Sequence, residues 1–246
     1  MAATMRAADA AVEILEQFGV RYTFAVPGES FLGMLDALHD SSIRLISTRH
    51  EGGAAFMAEA VGKLTGVPAV CMGTRGVGSA NLAIGIHTAY QDSTPLIAML
   101  GQVETPFRHR EAFQEVELAP LLSHLTKWSV EVPTSERLPD MVAEGLRRSV
   151  SGRPGPVALA LRGDILDGPA PVEHPPISAE PAAAPRAIDV EATLDLLRKA
   201  KRPLIIAGAG VLRSGATTDL VRLSEQIAVP VMTAFRRHDA YPNDHP

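Results

Sequence analysis

The sequence contains very little cysteine and few aromatic residues. Its 246 residues include one cysteine, Cys71, and aromatic residues make up 4% of the chain. A single cysteine cannot form an internal disulfide and lacks the partner cysteines of a zinc motif, so both kinds of stabilised fold are excluded. Because Cys71 stands in the apolar run AVCM, we expect it to be a buried, inert thiol.

Excess basic charge and long apolar runs are lacking as well. The formal net charge is −5, which gives no electrostatic footprint for nucleic acid. No apolar run is long enough to span a bilayer, and the first twenty residues carry Asp9, Glu13 and Glu16 in place of a secretory leader. We therefore expect a cytoplasmic protein that binds small molecules and neither nucleic acid nor membrane.

Hydrophobic residues make up 46% of the chain, which is enough for a large core. Short β-prone runs alternate with helical patterns over the first two thirds of the sequence. The predicted strands are residues 22–26, 44–47, 69–72, 96–100, 127–132 and 157–161. The predicted helices are residues 6–18, 31–39, 51–65, 78–90 and 135–151. Such alternation is typical of an α/β fold, a parallel sheet with helices on both faces.

A proline-rich segment, residues 168–187, has almost no periodic apolar pattern and is predicted to be an interdomain linker. After it, residues 188–246 show a helix, a strand, a second helix and a second strand. Two strands and two helices bury too little surface for an independent domain. We therefore expect these residues to begin a second α/β unit that is truncated here.

Glu51 is a candidate functional acid because it opens the predicted helix 51–65 just after the predicted strand 44–47. In open parallel sheets, ligands bind outside the carboxyl ends of the strands. Gly52 and Gly53 would allow a flat ligand to approach the backbone. Acids also favour the first turn of any helix, where they complement its dipole. This segment alone leaves a structural and a functional role open.

Two glycine-bearing segments, TRGVGSAN at 74–81 and GAGV at 208–211, follow predicted strands and could present backbone amides to a ligand. They could equally be ordinary strand-to-helix turns. The first is neither a P-loop nor a dinucleotide fingerprint, since Asn81 replaces the third glycine. Asp92 has roughly the spacing of a ribose-binding acid but ends a helix. A nicotinamide-dependent oxidoreductase is therefore a weak alternative.

Five segments, two of which include the residues described above, occur in a fixed order along the chain: VPGES at 26–30, RHEGGAAFMAE at 49–59, TRGVGSANLAIGIHTAYQDSTPLI at 74–97, FQE at 113–115 and GRPGPV at 152–157. Through them the chain resembles the thiamine diphosphate enzymes of the acetolactate synthase type, from about residue 4 onward. AKRPLIIAGAGV at 200–211 is similar to the start of that family's central domain. The resemblance implies a pyrimidine-binding domain over 1–167, a linker over 168–187 and the beginning of the central domain over 188–246.

The resemblance implies a transferase or lyase, a carboligase or decarboxylase acting on a 2-oxo acid with thiamine diphosphate as cofactor. Glu51 matches the carboxyl group that bonds to the cofactor's aminopyrimidine and promotes its imino tautomer, which then removes the thiazolium proton. Gln114 matches a catalytic glutamine near the reacting end, although FQEVEL could also start a helix. The residues that match the ring's surroundings are Pro27, Gly28, Thr74, Val77 and Asn81.

Some residues depart from the family's pattern. The segment usually written TSGPGATN has Arg75 and Val77 here, and Glu29 stands where a second glycine is common. Arg75 could bind a substrate carboxylate or point to solvent. Glu29 would disfavour acidic substrates if it pointed inward. The resemblance therefore does not imply pyruvate as the substrate.

The family holds the diphosphate through Mg2+ in a third domain marked by Gly-Asp-Gly, a string absent from these 246 residues. We therefore expect no metal ligands here, and half a site that is inactive alone and completed in a homodimer or tetramer. Truncation is favoured over a split enzyme. Some members carry FAD, and Arg153 matches an arginine that contacts it, or is a turn residue. A non-catalytic nucleotide-binding or dimerising module is the remaining alternative, but it would not need Glu51 with Gln114.

Overall fold

The computed structural model describes residues 3–173 and 184–245. The chain divides into two compact units, residues 1–180 and residues 181–246. Over the described ranges, no helix has both the length and the apolar character needed to cross a bilayer.

The first unit is built around a six-stranded sheet in which every neighbouring pair is parallel. Its strands are β2 (Tyr22–Ala25), β3 (Arg44–Ser47), β4 (Ala69–Thr74), β5 (Leu96–Gln102), β6 (Trp128–Glu131) and β7 (Pro156–Arg162). Their order is β3-β2-β4-β5-β7-β6. A separate antiparallel pair joins β1 (Thr4–Arg6) to β8 (Pro169–Pro171).

Helices cover both faces of this sheet, as the alternation predicted. They are α1 (Ala7–Phe18), α2 (Leu32–His39), α3 (Glu51–Thr65), α4 (Arg75–Asp92), α5 (Leu118–Leu122), α6 (Leu138–Val150) and α7 (Gly163–Leu166). One core lies under α1, α2 and α6, and the other under α3, α4 and α5. Successive residues of β4 face opposite ways, so Met72 enters the first core and Cys71 the second. The predicted α/β fold class is confirmed.

Small residues dominate the core under α3 and α4. Ala54, Ala55 and Ala58 are fully buried there, and a Cβ at Gly85 would lie 2.5 Å from that of Ala55. The two helices therefore approach closely, which brings their amino-terminal turns together at one edge of the sheet. In the same core, burial raises the pKa of the Cys71 thiol, as expected for an inert core cysteine.

In the glycine-bearing segment 74–81, the helix begins three residues earlier than predicted. Thr74 ends β4, and α4 begins at Arg75 rather than at Gly78. Gly76 and Gly78 are weak helix formers, which is why the sequence pattern places the helix start later. Close packing accounts for the difference, because a Cβ at Gly78 would lie 3.0 Å from the backbone carbon of Gly73.

The predicted linker, residues 168–187, begins too early in the sequence. Pro169–Pro171 form β8 on the edge of the first unit, where they pair with β1. Proline is compatible with such a position because it stands on an edge strand. Residues 174–183 lie outside the described residues, and α8 begins at Ala187. The remaining domain boundaries stay predictions.

The second unit contains two parallel strands, β9 (Ile205–Ala207) and β10 (Val231–Thr233). Its helices are α8 (Ala187–Lys199), α9 (Ala209–Arg213) and α10 (Thr217–Ile227). Most of the segment GAGV at 208–211 is helical, since α9 begins directly after Gly208. The α/β character predicted for this part of the chain is therefore present.

Candidate functional site

Glu51 is the first residue of α3 and lies beyond the carboxyl end of β3. The preceding residue caps the helix, because Nδ1 of His50 accepts a hydrogen bond from the amide of Gly52 at 3.0 Å. The Glu51 side chain points across to α4, where Oε2 accepts a hydrogen bond from Nδ2 of Asn81 at 2.9 Å. This carboxylate therefore does more than complement the dipole of its own helix.

The second oxygen of Glu51 lies against Gly78. A Cβ at Gly78 would be 3.2 Å from Oε1 of Glu51 and 3.0 Å from the backbone carbon of Gly73, so a side chain at this position would crowd the carboxylate. No hydrogen bond to Oε1 occurs within residues 3–173 and 184–245. Glu51 is half-buried, and of its two carboxylate oxygens only Oε2 is held by a side chain of the described residues.

Gly28 lies in the loop after β2 and touches the end of β4. A Cβ at Gly28 would be 1.7 Å from Oγ1 of Thr74. This hydroxyl is buried and has no hydrogen-bond partner in the described part of the chain, and the same holds for Oγ of Ser30. Buried hydroxyls without partners are costly. The Thr74 hydroxyl lies against Gly28, and the Ser30 hydroxyl lies against Gly101.

Gln114 lies against the start of α4, although it is far from Glu51 in sequence. The Gly76 amide donates a 3.0 Å hydrogen bond to the Gln114 carbonyl. Gln114 has φ of 60°, and the next α-helix begins at Leu118. Gln114 itself is therefore not helical, although FQEVEL ends at the first residue of α5. Val77, in the first turn of α4, is 54% exposed.

The structure thus brings the predicted site residues to one edge of the sheet. Pro27 and Gly28 follow β2, Glu51 follows β3, and Gln114 lies in the segment after β5. The others stand at the end of β4 or in the first turns of α4: Thr74, Val77 and Asn81. Carboxyl ends of parallel strands form this edge, which is where ligands bind in such sheets.

Sequence reasoning missed the ion network that holds the Gln114 segment. Nη1 of Arg108 lies 2.5 Å from Glu115, and Nη2 lies 3.1 Å from both Glu117 and Glu131. The amides of His109 and Ala112 also donate to Glu115. The hydrogen bond from the His109 amide contributes most to lowering the pKa of Glu115, which falls to about 2. The Ala112 amide and Arg108 lower it further. The one sequence feature that could have indicated this network is the acid of FQE, Glu115.

Two other candidates lie at the opposite, amino-terminal edge of the sheet. Oδ2 of Asp92 lies 2.7 Å from Nζ of Lys63, and its side chain is 2% exposed, so it does not stand open to a ribose. Arg153 donates to Oγ of Ser93 and to the carbonyl of Tyr90. Neither residue joins Glu51. Among the described residues, no three His, Cys, Asp or Glu side chains are grouped to hold a metal ion.

Comparison with known proteins matches two parts of the chain to one enzyme family. Residues 5–121 match the thiamine pyrophosphate enzyme, N-terminal TPP binding domain, and residues 190–246 match the thiamine pyrophosphate enzyme, central domain. Thiamine pyrophosphate is another name for thiamine diphosphate. Every predicted site residue falls within the first match.

The chain is also similar to curated proteins along almost its whole length. It is 37% identical to the probable acetolactate synthase large subunit of Methanocaldococcus jannaschii, over 98% of the chain and 42% of that protein. It is likewise 37% identical to the acetolactate synthase isozyme 1 large subunit of Escherichia coli, over 96% of the chain and 42% of that protein. The chain thus spans about two fifths of the length of these relatives. The chain belongs to the thiamine pyrophosphate enzymes of the acetolactate synthase type.

Proposed function

We propose that this chain supplies the aminopyrimidine-binding part of the active site in a thiamine diphosphate-dependent carboligase or decarboxylase. The observation that carries the proposal is the half-buried carboxylate of Glu51, with Oε2 held by Asn81 and Oε1 open beside Gly78. A carboxyl group fixed in this way can exchange a proton with a ring nitrogen at one defined atom.

The residues around Glu51 fit a flat, polar heterocycle. Gly28 and Gly78 lack side chains that would crowd Thr74 and Glu51, and Oγ1 of Thr74 has no hydrogen-bond partner among the described residues. Pro27 and Gly28 would lie against the ring, with Val77 on another side. Thiamine diphosphate, when bound, supplies the carbanion chemistry. The residues of this chain bind the ring, orient it and hold a proton at Oε1 of Glu51.

Gln114 is proposed to reach toward the reacting end of the cofactor. Its backbone is fixed against Gly76 by the 3.0 Å hydrogen bond to its carbonyl, so its side chain starts from a defined place at the edge of the sheet. An amide side chain can donate a hydrogen bond to a developing oxyanion. This role fits a catalytic residue for reactions of 2-oxo acids, the substrate class proposed here.

The diphosphate and Mg2+ require ligands that we do not assign within these 246 residues. We propose that they come from a part of the protein beyond this sequence, in a homodimer or tetramer whose subunits share the site. The 246-residue chain alone would then be inactive. FAD is not assigned a site, since Arg153 already contacts Ser93 and Tyr90.

The proposed reaction class is tested with a full-length protein containing this chain. It is incubated with thiamine diphosphate, Mg2+ and a panel of 2-oxo acids, and carbon dioxide release is measured together with the carbon product. We expect release that depends on the added cofactor. Cofactor binding without turnover of any 2-oxo acid would instead favour a non-catalytic module.

A further inference from the structure

Two residues that depart from the family's pattern, Glu29 and Arg75, contact each other. Nη2 of Arg75 lies 3.2 Å from Oε1 of Glu29. Glu29 follows the loop after β2, whereas Arg75 opens α4 after β4. The two departures are therefore one ion pair that joins neighbouring loops at the edge where the candidate site lies.

Arg75 also reaches the segment after β5. Its Nη1 donates a 3.1 Å hydrogen bond to the carbonyl of Phe113, directly before Gln114. The Arg75 side chain is only 19% exposed, so it does not simply point to solvent. One guanidinium thus connects the Glu29 loop, the start of α4 and the Gln114 segment, which suits the fixed fork of its donors.

The backbone supports this assignment. Arg75 has φ of 47° and Gln114 has φ of 60°, both in the left-handed region that favours glycine. Residues persist there when surrounding contacts determine the conformation. Besides the network of Arg108 and Glu115, three contacts hold the chain around Gln114. Arg75 binds the Phe113 carbonyl, the Gly76 amide binds the Gln114 carbonyl, and Nε2 of Gln102 donates to the Val116 carbonyl at 2.8 Å.

We propose that Arg75 is a positioning residue that holds the Gln114 segment against α4, and that Glu29 neutralises its charge at the mouth of the site. Arg75 would then not offer a free cation to a substrate carboxylate, because Glu29 already occupies one side of its guanidinium. The positioning part stands on the geometry alone. The consequence for substrate binding rests on the proposed function.

The two residues predict different effects. Without Arg75, the Phe113 carbonyl loses its side-chain donor and the Gln114 segment loosens. With Glu29→Gln, Arg75 still reaches Phe113, but its positive charge is no longer balanced. Attraction for an anionic 2-oxo acid then rises, because unlike charges attract more strongly at a partly desolvated site. Loss of Arg75 thus changes the order of the Gln114 segment, whereas loss of Glu29 changes the net charge beside the candidate site.

Positioning is tested by hydrogen exchange measured by mass spectrometry on the 246-residue chain. We expect Arg75→Ala to speed exchange of the peptide covering residues 108–117 about tenfold or more, Arg75→Lys to give an intermediate rate, and Glu29→Gln to change it little. Arg148→Ala is the matched control, since Arg148 on α6 pairs with Glu144 and lies 4.9 Å from the ring centroid of Trp128 in β6. It should leave that peptide unchanged.

An Arg75→Ala chain that melts cooperatively and exchanges residues 108–117 at the wild-type rate overturns the positioning role. If Arg75→Ala does not fold, a wild-type exchange rate of residues 108–117 in Arg75→Lys likewise overturns the positioning role. In the full-length enzyme, Glu29→Gln should lower KM for a 2-oxo acid severalfold with kcat within twofold. An unchanged or higher KM contradicts the charge role. If no 2-oxo acid is turned over, the proposed function fails, while the exchange result still decides the role of Arg75.

Discussion

Asn81 and Glu51 are joined by a 2.9 Å hydrogen bond that links the first turns of α4 and α3. The amide is a donor to Oε2, so it fixes the plane and direction of the carboxylate without occupying Oε1. This bond thus orients the acid, whose Oε1 lies beside Gly78.

Replacing Asn81 should impair function more than stability. Asn81→Ala removes the donor to Oε2, which lets the Glu51 carboxyl rotate away from its bound direction. We expect about a tenfold or greater loss of kcat in the full-length enzyme and a cost of about 1 kcal/mol in unfolding free energy. Steady-state kinetics and thermal melts measure the two effects. Gln91→Ala, an exposed change on the same helix, is the control, and equal losses in both variants would contradict the orienting role.

Gly28→Ala should disrupt the site because its Cβ would lie 1.7 Å from Oγ1 of Thr74. We expect a loss of about 1–3 kcal/mol in stability and weaker binding of thiamine diphosphate, measured by chemical denaturation and calorimetry. Gly53→Ala, on α3 with no atom within 4 Å of the added Cβ, should be neutral or slightly stabilising. Adding Thr74→Ala to Gly28→Ala should recover part of the stability. No recovery would argue against this contact as the cause.

Acid should weaken the Gln114 segment through Glu115. The pKa of Glu115 falls from 4.5 to about 2 in the folded protein, so the unfolded chain takes up this proton first as the pH drops. The stability that ionised Glu115 contributes is therefore present above about pH 4.5 and is lost toward pH 2. Melts from pH 2.5 to 6 should show wild type and Glu115→Gln converging at low pH. A constant difference would contradict this, and Glu13→Gln serves as the control.

The 246-residue chain by itself should bind thiamine diphosphate weakly. It offers contacts to the aminopyrimidine, but we assign it no Mg2+ ligands for the charged diphosphate. Calorimetric titration with thiamine diphosphate and Mg2+ should give no tight binding, whereas a full-length protein should bind tightly. Tight binding by the short chain would refute the half-site proposal.

The sheet could be predicted from the sequence because buried parallel strands are short apolar runs separated by helical patterns. Thus Arg44–Ser47 and Glu51–Thr65 match their predicted bounds. The start of α4 could not be predicted, because Gly76 and Gly78 oppose a helix locally. The packing of Gly76 against Val116 and of Gly78 against Gly73 nevertheless requires glycine at both positions. Tertiary contact overrides propensity at this point.

The residue types of the site followed from motifs, but their connections did not. Nothing in the spacing of Glu29 and Arg75 indicates that they meet, since the contact depends on how two loops leave neighbouring strands. The same is true of Arg108 and Glu131, which lie on different elements. Long polar side chains reach partners that periodicity does not describe, so the ion pairs required the structure.

The most direct test of the account is exchange of the thiazolium carbon proton of bound thiamine diphosphate in the full-length protein. This rate reports proton management at the cofactor without requiring the correct substrate. Glu51→Gln should slow the exchange by about 100-fold or more, within the usual range for losing a general acid–base group, while Glu13→Gln leaves it unchanged. If Glu51→Gln retains the wild-type exchange rate with the cofactor bound, Glu51 does not have the role assigned to it.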